Sequence, residues 1–137
     1  MNMPDGSVRS KSSEHRLAPL FEPKSVARVG ASEKSYWSTL LNNNFKALDY
    51  QGKVYAVNRN GNDVLGIKGY KSIAEIGEPV DVAYMMVPQA ANLDVISELA
   101  ASNIKFAIVL ASGYAEIGEE GQRAQDEMAA HARSVGV

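Results

Sequence analysis

Ser25-Val-Ala-Arg-Val-Gly-Ala31 is a short run of β-forming residues that ends at a glycine, and it decides the fold. Ser32 and Ser35 follow it and are candidate N-caps for a helix. Apolar residues then recur at the spacing of an amphipathic helix: Trp37, Leu40, Leu41, Phe45 and Leu48. The sequence therefore predicts a strand, a tight turn at Gly30 and a helix.

Three further runs of β-forming residues follow along the chain, at residues 53–58, 80–87 and 104–111. The third strand, residues 80–87, is apolar on both faces over most of its length, which is typical of a strand inside a parallel sheet. Residues 65–70 contain two glycines and are interpreted as irregular structure. The sequence thus predicts four strands.

Helical patterns alternate with these strands. A short helix is predicted at residues 72–76, an amphipathic helix after the third strand, and a last helix that ends at Gly136. This alternation favours an α/β fold with a doubly wound, Rossmann-like parallel sheet, helices on both faces and strand order 3-2-1-4. We expect the strand order to reverse between the first and fourth strands.

The N-terminal stretch differs from the rest of the chain. Residues 1–16 are polar and rich in Ser, Lys and Arg, which predicts a disordered tail. Residues 17–137 are expected to form one domain, because a chain of 137 residues suits a single core. The chain stops directly after a helix, where another strand would be expected, so we expect an N-terminal fragment of a longer protein.

Composition argues against several classes of function. The formal net charge is −2 and no basic cluster is interleaved with aromatic residues, so we expect no nucleic-acid partner. The chain has no cysteine, which fits a cytoplasmic protein. No apolar run approaches the roughly 18 residues that span a bilayer, so no membrane partner is expected. His15 and His131 are too far apart in the sequence to suggest a metal site.

The candidate binding residues lie at the predicted strand ends. Ligands of doubly wound sheets bind beyond the carboxyl ends of the strands, where the strand order reverses. The residues at these positions are Gly30, Ala31, Ser32, Lys34, Asn58, Arg59, Asn60, Val87, Pro88, Ala111, Ser112 and Gly113. Free amides and the positive dipole end of the helix after Gly30 attract phosphate, and Lys34 adds a cation.

The same loops narrow the choice of phosphorylated ligand. An NAD site would carry G-x-G-x-x-G and an acidic residue at the end of the second strand. Here the loop has the single glycine Gly30, and the second strand ends in Asn58-Arg59. Arg59 suits an extra phosphate, as on NADP or on the 3′-phosphate of coenzyme A. NADP and coenzyme A therefore both stay open on this reasoning.

A family resemblance adds to this interpretation. The stretches that carry it run in order along residues 17–137: Leu20-Phe-Glu-Pro-Lys-Ser-Val-Ala27, Val29-Gly-Ala-Ser32, Gly52-Lys-Val-Tyr-Ala-Val-Asn58, Tyr70-Lys-Ser-Ile-Ala-Glu-Ile76, Glu78-Pro-Val-Asp81, Val87-Pro88 and Ala111-Ser-Gly-Tyr-Ala-Glu116. Through them the chain resembles the CoA-binding domain of NDP-forming acyl-CoA synthetases. That group includes ADP-forming acetyl-CoA synthetase and the alpha subunit of succinyl-CoA synthetase.

The resemblance implies that coenzyme A lies across the strand ends. Its phosphates would meet residues 30–34, its adenosine residues 58–60, and its pantetheine arm Val87-Pro88 and residues 111–113. The resemblance also implies that the whole protein is an acid–thiol ligase, with an ATP-grasp module in later domains or in a partner subunit.

Within this chain we expect no catalytic residue, because no Ser/His/Asp constellation or carboxylate pair is present. The domain would position the thiol of coenzyme A, which is a proximity effect. The alternatives are an NADP-binding Rossmann domain of an oxidoreductase and a stand-alone CoA-binding regulatory protein. A homo-oligomer is compatible with each of these functions.

Three positions depart from the family pattern. Ser35-Tyr36-Trp37 stands where a further glycine is usual, and Arg59-Asn60 stands where Pro-Lys is frequent. Arg28 lies inside the first strand, where an apolar residue is usual. A buried unpaired charge costs several kcal/mol. We therefore expect Arg28 to pair, with Asp81 as the candidate partner, or to face a further domain.

Overall fold

Five parallel strands form one sheet in the computed structural model, which describes residues 15–137. The strands are β1 (Ser25–Val29), β2 (Lys53–Val57), β3 (Gly69–Tyr70), β4 (Val82–Met85) and β5 (Ala107–Val109). The sheet order is β3-β2-β1-β4-β5, and every neighbouring pair is parallel. The predicted doubly wound parallel sheet is confirmed. The predicted tail at residues 1–16 lies outside the described residues, apart from its last two positions.

The predicted order 3-2-1-4 holds for the first four strands in the chain, but the segments that form them differ from the prediction. Residues 65–70, interpreted as irregular, contain β3, which pairs with the last residues of β2. A two-residue strand that includes a glycine has no periodicity to reveal it. The strand predicted as the third is therefore β4, and it pairs with β1. The strand order consequently reverses between β1 and β4, and residues 104–111 supply the edge strand β5.

Within residues 15–137, four α-helices connect and flank the strands: α1 (Ala18–Phe21), α2 (Tyr36–Ala47), α3 (Asn92–Ala101) and α4 (Glu119–Val135). Ser35 is the N-cap of α2, since its side chain accepts a hydrogen bond from the Ser38 amide. Asn103 (φ 57°) follows α3, and Gly136 (φ 87°) ends α4, both in the left-handed region that closes helices. The predicted N-cap Ser35 and the predicted helix end at Gly136 are confirmed.

Helices cover both faces of the sheet. Successive residues of β1 point to opposite faces, so each face contributes side chains to contacts with a different set of helices. On one side Ala27 and Val29 belong to the main core, which also contains the fully buried Leu99 of α3. On the other side the Arg28 guanidinium contacts the Ser38 carbonyl of α2. The apolar stripe of α2 is less buried than predicted at its C-terminal end, where Leu48 is 80% exposed.

Arg28 does not pair with Asp81, contrary to the prediction. Asp81 accepts a hydrogen bond from the Lys24 amide at 2.7 Å, just before β1 begins. Arg28 lies three residues into β1, where its register partners are Ala56 and Tyr84. Asp81 therefore lies beside the start of β1, and Arg28 lies near its end. The predicted pairing of Arg28 with Asp81 is wrong for this reason.

Side-chain hydrogen bonds also connect β2 to the loop before β4. The Glu78 carboxylate accepts hydrogen bonds from the Tyr55 hydroxyl and from Lys53 Nζ, the latter at 2.9 Å. The hydrogen bond from Tyr55 and the charge of Lys53 hold the pKa of Glu78 below its usual value. Burial and the contact with Glu78 raise the pKa of Tyr55 to about 12.

Candidate functional site

The predicted binding residues gather at one edge of the sheet, because parallel strands end together there. Backbone hydrogen bonds fix this edge: the Gly30 amide donates to Val57 (2.9 Å), and the Met86 amide donates to Val29 (2.8 Å). The loops after β1, β2, β4 and β5 therefore lie side by side. The strand order reverses between β1 and β4, so the crevice lies between the loops that follow these two strands. All twelve predicted residues lie in these loops.

Gly30 has a structural role that does not depend on a ligand. Its φ is +84°, a conformation that side-chain-bearing residues rarely adopt. A Cβ at this position would lie 2.7 Å from the Met86 carbonyl oxygen and 2.9 Å from Cγ1 of Val87. A glycine is therefore required for the ends of β1 and β4 to approach each other, whatever binds beyond them.

Serine side chains bind part of the backbone in the loop between β1 and α2. The Ser32 amide donates to Ser38 Oγ at 3.1 Å, and the Lys34 amide donates to Ser32 Oγ at 3.2 Å. The Ser38 amide donates to Ser35 Oγ at 3.4 Å. These amides are already satisfied, so this loop is not an open ring of donors.

Three other amides at the same loop remain available. The amides of Glu33, Tyr36 and Trp37 have no hydrogen-bond acceptor among residues 15–137. Tyr36 and Trp37 belong to the first turn of α2, where free N–H groups and the helix dipole favour an anion. Lys34 is exposed next to them and makes no ion pair within the described part of the chain.

The aromatic side chains at the start of α2 point outward. Tyr36 is 72% exposed and Trp37 is 38% exposed. Their rings pack edge to face against each other, with centroids 5.6 Å apart. Neither ring is buried in the core, so both are accessible to a ligand or to another protein surface at this edge.

The loop after β2 is organised by Asn58. Its Oδ1 accepts from the amides of Asn60 (3.2 Å) and Asn62 (3.1 Å), and its Nδ2 donates to the Asn62 carbonyl (2.8 Å). The Asn58 side chain therefore shapes the turn and has little capacity left for a ligand. Arg59 is exposed and makes no ion pair with any described residue, so its guanidinium is available to a phosphate.

The loops after β4 and β5 are held by two residues that the sequence interpretation did not include among the candidates. Gln89 Nε2 donates to the Gly113 carbonyl at 2.8 Å and so ties the two loops together. The Glu116 carboxylate accepts from the amides of Gly113 and Tyr114. These backbone donors, Gly113 first, hold the pKa of Glu116 below its usual value.

The sequence signal for Glu116 was its position three residues after a glycine turn, from which a carboxylate can reach back to the turn amides. Among residues 15–137 no group of three or more His, Asp or Glu side chains is arranged to hold a metal ion. No helix in the same range has both the length and the apolarity to cross a membrane.

Comparison with known proteins identifies the family. Residues 24–137 match the family described as the CoA binding domain. The chain belongs to the CoA-binding domain family. The matched range contains the whole sheet and all twelve predicted binding residues, so the family predicted from the sequence is confirmed.

The relatives of this CoA-binding domain are much longer ligases. A trans-feruloyl-CoA synthase from an unknown prokaryotic organism is 35% identical over 127 residues, which is 91% of this chain and 18% of the relative. The alpha subunit of the ADP-forming acetate–CoA ligase I of Pyrococcus furiosus is 35% identical over 126 residues, 88% of this chain and 27% of the relative. The chain thus spans between 18% and 27% of the length of these two relatives.

A solved structure shares the fold of this CoA-binding domain. The apo form of the dinucleotide-forming acetyl-coenzyme A synthetase 1 of Ca. Korarchaeum cryptofilum superposes with a TM-score of 0.79 at 33% identity. The match covers 88% of this chain and 26% of that chain. The Rossmann-like arrangement is therefore shared with this acetyl-coenzyme A synthetase at clear sequence similarity.

Proposed function

We propose that this domain binds coenzyme A at the carboxyl edge of its sheet, as the CoA-binding part of an ADP-forming or other NDP-forming acyl-CoA synthetase. The observation that carries the proposal is a set of three amides next to Lys34, one in the loop after β1 and two in the first turn of α2, that have no acceptor among residues 15–137 of this CoA-binding family domain. Backbone donors, a helix dipole and a cation together favour a diphosphate.

Charge and polarity support one orientation of the ligand. The diphosphate meets the amides of Glu33, Tyr36 and Trp37, and the 3′-phosphate of the adenosine pairs with Arg59. The uncharged pantetheine arm runs along Val87-Pro88 and the loop at residues 111–113. In this orientation the exposed Lys34 lies near the diphosphate and the exposed Arg59 near the 3′-phosphate. The neutral pantetheine arm then lies along the loops after β4 and β5.

The domain does not carry out a chemical step by itself in this proposal. It holds the thiol in place for an acyl transfer completed elsewhere, in later domains or in a partner subunit with an ATP-grasp fold. The relatives named as alpha subunits support a division of the reaction between chains. A cytoplasmic location is consistent with this role and with the absence of cysteine.

Calorimetric titration of the purified chain tests the proposal. Coenzyme A should bind, 3′-dephospho-coenzyme A should bind more weakly because Arg59 loses its phosphate, and NADPH and NADH should give no heat. Tight NADPH binding without coenzyme A binding would instead establish the oxidoreductase alternative, since Arg59 also suits the phosphate of NADP. Trp37 is the single tryptophan and lies at the proposed phosphate site, so its fluorescence provides an independent signal.

A further inference from the structure

Arg28 is a buried arginine whose charge is largely unsatisfied. Its side chain is 1% exposed. Nη1 donates to the Ser38 carbonyl at 3.3 Å, a long hydrogen bond, while Nε and Nη2 are buried with no partner among the described residues. A guanidinium offers five N–H groups, so most of its donor capacity is unused. Buried charges are nearly always paired, which makes this side chain the clearest anomaly of the fold.

No negatively charged group of the described chain is in contact with Arg28. The ring centroid of Phe45 lies 5.8 Å from the guanidinium carbon. No carboxylate of residues 15–137 lies within ion-pair distance. Burial without a counter-charge lowers the pKa of Arg28. The Arg28 guanidinium is therefore a buried positive charge beneath α2 without a counter-charge in contact with it.

A cleft of about 410 Å³ opens above this charge, between the second half of α2 and β2. Arg28 and the amide side chain of Asn42 are among its lining residues, and the larger part of the wall is aromatic or aliphatic: Phe45, Tyr50, Val54 and Ile67. The volume is in the range of small-molecule sites, which are typically apolar with a few placed polar groups. The turn before β2 forms part of the rim, so the cleft opens toward the amino edge of the sheet, away from the coenzyme loops.

We propose that this cleft binds a small carboxylic acid with an apolar body, whose carboxylate pairs with Nε and Nη2 of Arg28. The two nitrogens form one side of the guanidinium fork, which matches the two oxygens of a carboxylate. The apolar walls suit a hydrocarbon or aromatic body better than an inorganic anion. Because Nε and Nη2 are buried and the half-buried Phe45 ring lies over the guanidinium, this contact requires the Phe45 ring to turn aside.

The charges at the rim do not satisfy Arg28. Lys46 and Asp49 line the cleft, with opposite signs. The Asp49 carboxylate accepts from Gln51 Nε2 at 2.7 Å, so it already has a partner. The mouth of the cleft is thus close to neutral while its floor is positive, and a monoanion is the ligand charge that matches.

Benzoate is the probe for this site, and benzamide is its neutral control with nearly the same shape. The full chain is titrated with each by NMR chemical-shift mapping and by thermal shift. Benzoate should shift the resonances of β1 and the second half of α2 and should raise the melting temperature, whereas benzamide should do neither. No binding of benzoate, or equal binding of benzamide, would overturn the proposal.

Arg28→Met is the deciding variant, because methionine fills the space without a charge. It should weaken benzoate binding by roughly tenfold or more, the effect of losing charge-assisted hydrogen bonds. Lys105→Met removes an exposed charge outside the cleft and should leave benzoate binding unchanged. Unchanged affinity in Arg28→Met would refute the role of the guanidinium.

A second variant keeps the proposal testable if Arg28→Met does not fold. Arg28→Lys retains the positive charge but cannot form a two-pronged contact, so benzoate should still bind, more weakly than to the wild type. Wild-type affinity in Arg28→Lys would contradict the proposed geometry. Coenzyme A titrations of the same variants report separately on the carboxyl edge, so failure of one site is distinguished from failure of the other.

Discussion

Replacing Tyr36 with proline should weaken coenzyme A binding without unfolding the domain. Tyr36 is the first residue of α2, and its amide has no acceptor in the described chain. Proline is favoured at this helix position, where the missing N–H breaks no helical hydrogen bond. Ser35 has the extended conformation (φ −80°, ψ 127°) that a residue before proline requires. The substitution therefore removes one donor and leaves the backbone path intact.

The size of the effect follows from the bond that is lost. A hydrogen bond to a charged phosphate oxygen contributes about 1.5–3 kcal/mol. The dissociation constant should therefore rise by roughly tenfold to hundredfold. The matched control is Tyr36→Ala, which removes the exposed ring but keeps the amide. It should retain most of the affinity, because the ring is largely in solvent.

Calorimetry on the wild type and the two variants measures the dissociation constants, and thermal unfolding monitored by circular dichroism checks the fold. Two results would refute the reasoning. If Tyr36→Pro binds coenzyme A like the wild type, the amide makes no contact with the ligand. If Tyr36→Ala loses as much affinity as Tyr36→Pro, the side chain and not the backbone donor is responsible.

Three further outcomes are expected. Arg59→Gln should weaken coenzyme A binding and leave 3′-dephospho-coenzyme A binding unchanged in calorimetry; an equal loss for both would place the 3′-phosphate elsewhere. Gly30→Ala should lower the free energy of unfolding in urea by about 1–3 kcal/mol, because the Cβ meets the Met86 carbonyl and the positive φ is strained; an unchanged midpoint would contradict this packing. The pKa of Tyr55 is raised from 10 to about 12, so its stabilising contribution is complete below pH 10 and is lost as the pH rises through 12. Alkaline unfolding should therefore be less steep in Tyr55→Phe, and an identical pH profile would show that the contact with Glu78 is not retained in solution.

Local sequence signals were sufficient for the centre of the fold. The β-forming run before Gly30, the N-cap Ser35 and the left-handed positions Asn103 and Gly136 each have a short-range physical cause. Such causes act within one turn of chain, so they can be recognised without knowing the rest of the structure. The parallel sheet followed from their alternation with apolar strands.

Contacts between distant segments could not be predicted in this way. The two-residue strand β3 exists because β2 supplies its partner, and its own sequence has no strand pattern. Asp81 pairs with a backbone amide 57 positions away, which left Arg28 without the expected partner. Gln89 donates to a carbonyl of the neighbouring β5 loop, and its role depends on how that loop folds.

The Glu116 carboxylate makes the two ends of the sheet's carboxyl edge electrostatically different. The amides of Gly113 and Tyr114 are occupied by this carboxylate, and its negative charge repels anions at that end. The donors left over for anions are at the opposite end, around Lys34 and Arg59. We therefore expect a long ligand with phosphates at one end and a neutral chain at the other to bind in one direction only, with the neutral chain toward β5.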